Sequence, residues 1–336
     1  MSVPNTPLNQ SSIEQTPANH NAPHQGARAA QASYIVLPRE VTDKPTVVSF
    51  LEHHFARLGA DVWRQRVLDG KVHWQDGSLI TLDTPYRATA RVYYYREVVT
   101  ETQVPFDEII LQQLNDALLV YKPHFLPVTP SGNYVNECLV HRLRLKTGIT
   151  TIAPAHRLDR ETAGVMLMTK NPATRHLYHQ LFVDGSIRKE YQAIAKLTPQ
   201  LLAALTANEI ALPVSWTVKN RIEPSQPSFV MCVVDGEANS HSEISLVAVE
   251  GGYGLFALSP ITGKTHQLRV HMLSLGMPLL NDRIYPQLTP KGADDFERPL
   301  KLLARRLSFT DPVSHQIVSV ECDGFNLPQE VSKLSD

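Results

Sequence analysis

Residues 155–164 read Ala-His-Arg-Leu-Asp-Arg-Glu-Thr-Ala-Gly and run directly into the apolar stretch Val165-Met166-Leu167-Met168. One carboxylate, Asp159, thus stands between Arg157 and Arg160 at the mouth of a buried, strand-like element. A carboxylate beside guanidinium groups stays ionised, and on a loop braced by a rigid element it can act as nucleophile or base. An ion-pair cluster that only ties the loop down has the same composition, so the decapeptide alone leaves both readings open. A second polar cluster, Gly263-Lys264-Thr265-His266-Gln267-Leu268-Arg269-Val270-His271-Met272, predicts a helix start near Thr265, with Thr265 as N-cap and Arg269 one turn beyond. Lys189-Glu190-Tyr191-Gln192-Ala193 lies in a strand-like run.

The elements that must position these groups are partly visible. Residues 1–31 are rich in Asn, Gln, Pro, Ser and Ala without apolar periodicity, and a disordered tail is expected there. Val48, Leu51, Phe55 and Leu58 have helical spacing that Gly59 can end, and Trp63–Leu68 predicts a second short helix. Val72 and Trp74 then alternate with polar residues before the turn Asp76-Gly77, and a strand follows over 90–98. Residues 46–100 are therefore expected to form a small separate module. Residues 101–113 read as an acidic connection, and a second domain is expected over 113–329, beginning with the strand Asp116–Pro123. Strands are predicted near 163–169, 190–196, 229–234, 242–249 and 254–259, and helices over 172–184, 266–275 and from Thr198. This interspersed order without a βαβ rhythm predicts an α+β fold with a largely antiparallel or mixed sheet.

At 336 residues and 43% hydrophobic content the chain can bury more than one core. It contains no run of 18 apolar residues and no basic-then-apolar start, so a cytoplasmic location and no membrane association are expected. Cys138, Cys232 and Cys322 fit neither a disulfide framework nor a zinc site. The net charge of −1 conceals an asymmetry: residues 141–192 carry nine Lys or Arg against four Asp or Glu, and residues 260–310 eight against four. Both chemical clusters lie in these basic segments, which suits an anionic ligand such as RNA; dispersed solvated charge fits equally well.

Taken together, H-R-L-D-R-x-T-A-G at 156–164, K-E-Y-Q-A at 189–193, G-K-T-H-Q-L-R-V-H at 263–271 and L-V-Y-K-P at 119–123 resemble the RluA family of pseudouridine synthases. The resemblance covers roughly 113–315. It implies the pseudouridine synthase fold, a central mixed, largely antiparallel sheet flanked by helices and loops, and an isomerase that detaches uracil from ribose C1′, turns it and rejoins it through C5. Such chemistry implies no metal and no other cofactor. The module at 46–100 is similar to an S4-like RNA-binding domain through Gly70-Lys71-Val72-His73-Trp74-Gln75-Asp76-Gly77.

The resemblance places the catalytic carboxylate on Asp159, a stacking tyrosine that can handle the C5 proton on Tyr191, and the arginine that pairs with Asp159 on Arg269. It marks Arg157 for entry into the RNA stack when the target base is flipped out, and Leu303 for the uracil pocket. Arg160, Lys122, Lys189, Lys264, His266 and Gln267 are expected around the RNA as phosphate contacts or structural pairs. The segment Lys122–Gly132 is similar to the branch that modifies a tRNA anticodon-loop uridine and a 23S rRNA uridine, so tRNA, 23S rRNA or both are the expected partners of a monomer.

Departures from the family pattern are Lys264 for an arginine, Asn281 and Phe125 at positions usually Gly, and Leu303 where a His is usual. Other classes fare worse. A hydrolase would need a second acid in another motif, and Glu161 is merely the nearest. A non-catalytic RNA binder predicts loss of the group at 159. His176 and His179 lack a third ligand, so no metal is expected.

Overall fold

The computed structural model describes residues 27–29, 32–40, 43–290 and 292–327. Of the expected tail, residues 1–26, 30 and 31 lie outside these. Ala27–Arg28 instead form a strand, β1, against Glu97–Val98. Backbone pairing and the Arg28 guanidinium, 3.9 Å above the Tyr95 ring, give this segment partners that its composition does not advertise.

The first body is built on β2 (Ser33–Val36), α1 (Val47–His54), α2 (Ala60–Leu68), β3 (Val72–Trp74), β4 (Arg91–Tyr94) and β5 (Glu97–Val98). Thr46 caps α1 by accepting the Ser49 N–H at 3.1 Å, while the Ser49 hydroxyl returns to the Thr46 backbone. The sheet order is β2-β4-β3. Leu51, Trp63, Val72, Trp74 and Val92 form its core between helices and sheet. The two helices and following turn match the expected order, with β2 added upstream of 46.

The acidic connection over residues 101–113 is held by specific contacts. The Glu101 carboxylate accepts from the backbone N–H groups of Val135, Asn136 and Glu137, and Arg142 donates to the carbonyls of Val104 and Phe106. Glu101 and Glu108 of this acidic connection are thus anchors onto the second body.

That body comprises β6 (Ile109–Gln113), β7 (Ala117–Lys122), α3 (Leu139–Thr147), β8 (Ala153–Pro154), β9 (Ala163–Thr169), α4 (Arg175–Val183), β10 (Arg188–Lys196), α5 (Pro199–Thr206), β11 (Val214–Pro224), β12 (Met231–Val234), β13 (Ser240–Glu250), β14 (Tyr253–Pro260), α6 (Gln267–Ser274), β15 (Leu302–Thr310) and β16 (Ile317–Glu321). Among the described residues its sheet runs β12-β11-β13-β14-β10-β15-β9-β7-β6, with β8 on β9 and β16 on β15. Every pairing is antiparallel except β9 with β15. This is the expected mixed, largely antiparallel sheet flanked by helices.

All seven residues of β9 are buried, so it is covered on both faces and reads as an unbroken apolar run. Alternate side chains serve separate cores: Val165 and Leu167 join Tyr178, Leu307 and Phe309 on one face, and Met166 and Met168 join Leu126, Leu139 and Leu143 on the other. The parallel contact places Gly164 opposite Ala304. Gly164 has φ +124°, and a Cβ there would lie 2.2 Å from the Ala304 carbonyl oxygen. Only glycine lets the loop that carries Asp159 enter the sheet this close to β15.

Two of the family departures are explained here. Phe125 (φ +64°) and Asn281 (φ +63°) both keep the left-handed backbone that favours glycine. Phe125 is held there by packing edge-on to Phe296 at 5.2 Å. Asn281 is held by its amide donating to the Pro299 carbonyl at 3.0 Å.

Candidate active site

The loop before β9, the start of β10 and the turn from β14 into α6 converge on one cleft of about 930 Å³. It is lined by Arg157, Asp159, Lys189, Tyr191, Lys264, His266, Arg269 and Leu302, among others. Three segments that are far apart in sequence thus present their polar groups to the same space.

Asp159 sits in a turn closed by the Thr162 N–H donating to its carbonyl at 3.1 Å. Its Oδ2 lies 3.4 Å from Nη1 of Arg269 and 3.8 Å from Nε2 of His266. Arg269 is fully buried on α6, and its orientation is fixed by a group the sequence reading passed over. Asp282 takes Nε at 2.8 Å and Nη2 at 2.6 Å, leaving Nη1 for Asp159. Oδ1 of Asp282 also accepts the backbone N–H groups of Ile284 and Tyr285. Burial opposes the charge of Arg269, but the Asp282 hydrogen bonds and the carboxylates of Asp282 and Asp159 outweigh it, and its pKa rises above the usual arginine value. The pair is buried and bidentate, the geometry that holds a guanidinium in one place.

His266 is braced in parallel. The Met231 N–H donates to Tyr285 Oη at 2.8 Å, which leaves the phenol hydrogen for Nδ1 of His266 at 2.9 Å. The ring hydrogen of neutral His266 then belongs on Nε2, facing Asp159. Burial lowers the His266 pKa, against the pull of Asp159, and so favours this neutral form. His266 has φ +54° and precedes the first helical residue. The expected Thr265 cap is therefore displaced by one residue, and the turn is closed by Gln267.

Tyr191 follows a bulge in β10 and lies opposite Ala304 of β15. Burial and the nearby Asp159 charge push its pKa up, so the phenol keeps its proton near neutrality. Arg157 and Lys264 are exposed at the cleft, and among the described residues neither side chain has a protein partner. Lys189 lines the wall with Nζ 3.4 Å from the Thr262 carbonyl, and burial lowers its pKa.

Of the residues expected around the RNA, Lys122, Arg160 and Gln267 make internal contacts, which for Lys122 and Arg160 is the structural alternative, and Leu303 turns away from the cleft. Lys122 is fully buried, and its ammonium donates to the carbonyls of Pro123, Leu126 and Arg160; it clasps two loops and cannot reach a phosphate. Arg160 makes a two-point pair with Asp294 at 2.8 Å on each arm, and it also donates to Tyr134. Gln267 is buried; its Oε1 accepts from Thr262 Oγ1 and the Lys264 N–H, while its Nε2 donates to the His241 carbonyl and to Ser242. Leu303 packs into the core with Val165 and Leu307. Its neighbour Leu302 lines the cleft instead, because successive strand residues face opposite sides.

His156 also acts through its backbone contacts. Its Nε2 accepts the Leu167 N–H at 3.1 Å, and its ring stacks on Phe182 at 4.5 Å. Burial, assisted by Lys189, lowers its pKa to about 3. Burial likewise lowers His124 and His271, each to about 4. These groups bind protons in the unfolded chain near pH 6.5, before the folded chain does. Stability is therefore expected to fall as pH drops from about 6.5 toward 4, by up to about 2 kcal/mol per histidine at pH 5. Thermal midpoints across that range check this, and His156→Asn should flatten the slope.

Residues 116–274 match the sequence family described as RNA pseudouridylate synthase. RNA pseudouridine synthase 7 of Oryza sativa subsp. japonica is 24% identical over 245 residues, 71% of this chain and 60% of that one. Dual-specificity RNA pseudouridine synthase RluA of Yersinia pestis is 28% identical over 215 residues, covering 64% of this chain and 98% of that one. The mitochondrial tRNA pseudouridine(32) synthase of Saccharomyces cerevisiae is 26% identical over 249 residues, covering 72% and 50%. The chain spans 60% and 66% of the length of the plant relatives it matches in rice and Arabidopsis thaliana. Human RNA Pseudouridylate Synthase Domain Containing 1 has the same fold, with a TM-score of 0.51 over 65% of this chain and 83% of that one at 21% identity.

Proposed function

The chain belongs to the RluA family of RNA pseudouridine synthases, and on that premise we propose that it isomerises uridines in structured RNA through Asp159. The substrate is a tRNA anticodon loop, 23S rRNA or both, the protein acts as a cytoplasmic monomer without a cofactor, and residues 46–100 are an S4-like RNA-binding module. The observation that carries the reading is one half-exposed carboxylate in the cleft, its Oδ2 facing a buried guanidinium that Asp282 already holds.

Isomerisation breaks the N1–C1′ bond, forms C5–C1′, releases the C5 hydrogen and leaves a hydrogen on N1, so no atom is gained or lost overall. Asp159 either attacks C1′ or removes a ribose proton; both need it aimed at the sugar, and Arg269 and His266 hold it in place. Tyr191 offers a face on which the detached base stacks while it turns. Because its phenol keeps its proton, it serves as a hydrogen-bond donor and not as the resting-state base for C5. Arg157, exposed and unpaired, can stack in the space a flipped base leaves and offset part of a cost of a few kcal/mol.

Tyr285→Phe is expected to lower kcat about tenfold with KM little changed, since a lost hydrogen bond in a buried network costs about 1–3 kcal/mol. The ring ¹⁵N shifts of His266 should move with it; an unchanged kcat and unchanged shifts would show that Tyr285 does not position this ring. To identify the RNA, total tRNA and 23S rRNA transcripts are incubated with the protein, and pseudouridines are mapped by carbodiimide-dependent reverse-transcription stops. A new stop in either RNA supports the reading, and none in both refutes it.

A further inference from the structure

Strands β2, β4 and β3 bury alternate residues in the module core, which sends Tyr34, Tyr93 and His73 to the opposite face. Register aligns them across the sheet, with Tyr34 opposite Tyr93 and Tyr93 opposite His73. The ring centroids of Tyr34 and Tyr93 are 5.4 Å apart, those of Tyr93 and His73 5.5 Å at 10° between planes, and those of His73 and Tyr95 6.1 Å. A guanidinium ends the row at each side: Arg91 is 5.1 Å over Tyr34, and Arg28 is 3.9 Å over Tyr95. Tyr34 is 54% exposed. Among the described residues neither arginine is paired with a carboxylate.

We propose that this row is a stacking platform for unpaired bases of single-stranded RNA. The proposal rests on the reading of the module as RNA-binding and specifies its surface and ligand. Four rings in line give π faces for successive bases, while Arg28 and Arg91 supply cation–π contact and charge for the intervening phosphates. A duplex keeps its base faces covered, so the platform selects strands whose bases are splayed. Cross-strand aromatic pairs also stabilise sheets. That role needs neither an exposed outer tyrosine nor guanidinium groups without a carboxylate partner at both ends, and the lack of a carboxylate among these groups suits an anionic occupant.

The test uses the full chain and a fluorescein-labelled 12-nucleotide uridine-rich strand, read by anisotropy against a duplex of the same length. Base–aromatic stacking predicts that Tyr34→Ala and Tyr93→Leu each weaken single-strand binding by about 5- to 100-fold. Tyr34→Phe and Tyr93→Phe should bind like wild type, because the ring and not the hydroxyl is used, and the duplex should bind at least tenfold more weakly. Thermal midpoints separate lost stacking from lost folding, and the Phe variants keep the test valid where a truncation unfolds the module. A 5-iodouridine strand should photocrosslink to the peptides containing Tyr34 or Tyr93. Binding within twofold of wild type for both truncations, equal affinity for the duplex, or loss confined to Arg157→Ala in the cleft would each overturn the platform. This readout involves no isomerisation, so absence of pseudouridine formation would leave it standing and would count only against the activity.

Discussion

Asp159→Asn is expected to reduce turnover by roughly 10⁴-fold, the scale of losing the central group of a catalytic unit, while folding and RNA affinity change by no more than a few-fold. The substitution is isosteric and the side chain is half-exposed, and among the described residues its polar contacts are Arg269 at 3.4 Å and His266 at 3.8 Å. Asn can still occupy the space, but it can neither attack C1′ nor accept a ribose proton. Pre-steady-state turnover under saturating RNA isolates this step from binding. A KM effect without a kcat effect would assign Asp159 to binding instead.

Arg269→Ala is expected to be costly in two separable ways. Asp282 is left buried with its two guanidinium contacts gone, and breaking a buried ion pair by removing one partner costs about 3–5 kcal/mol. Asp159 loses its orienting cation at the same time, so kcat should fall further than RNA affinity. Adding Asp282→Ala should restore part of the stability, because no orphan carboxylate then remains, but none of the activity. Chemical denaturation of the two single variants and the double variant measures the coupling. Additive losses would mean that the two residues do not act as a pair.

How far the sequence disclosed this arrangement depends on the kind of contact. Elements with periodic apolar patterns, such as β13, β14 and α1, were legible because burial repeats with the geometry of the element, and β9 was legible as an unbroken apolar run. So were Asp159, Tyr191 and Arg269, whose motifs occur in a characteristic order. Strands β11 and β15 were not legible: β11 mixes exposed and buried positions without strict alternation, and β15 carries Arg305 and Arg306 in its middle. Asp282 and Tyr285 were invisible as site residues because their partners, Arg269 and His266, are 13 and 19 positions away with no local spacing rule between them. Charge misled in the opposite direction. Lys122 and Arg160 look like phosphate contacts, Arg160 within a basic segment, yet backbone carbonyls and Asp294 satisfy them internally. Arg157 and Lys264, of the same residue types, remain open to the cleft. Only the folded chain separates a cation spent on structure from one free for RNA.

The central claim, that this cleft moves uracil from its nitrogen to its carbon linkage by means of Asp159, is tested most directly by tritium release. tRNA and 23S rRNA transcripts carrying [5-³H]uridine are incubated with wild-type and Asp159→Asn protein, and label in water is compared with pseudouridine in the digested RNA. The account predicts that wild type releases one tritium for each pseudouridine formed in at least one RNA and that Asp159→Asn releases none above background. Equal release by Asp159→Asn, or no release by wild type from either RNA, would contradict it.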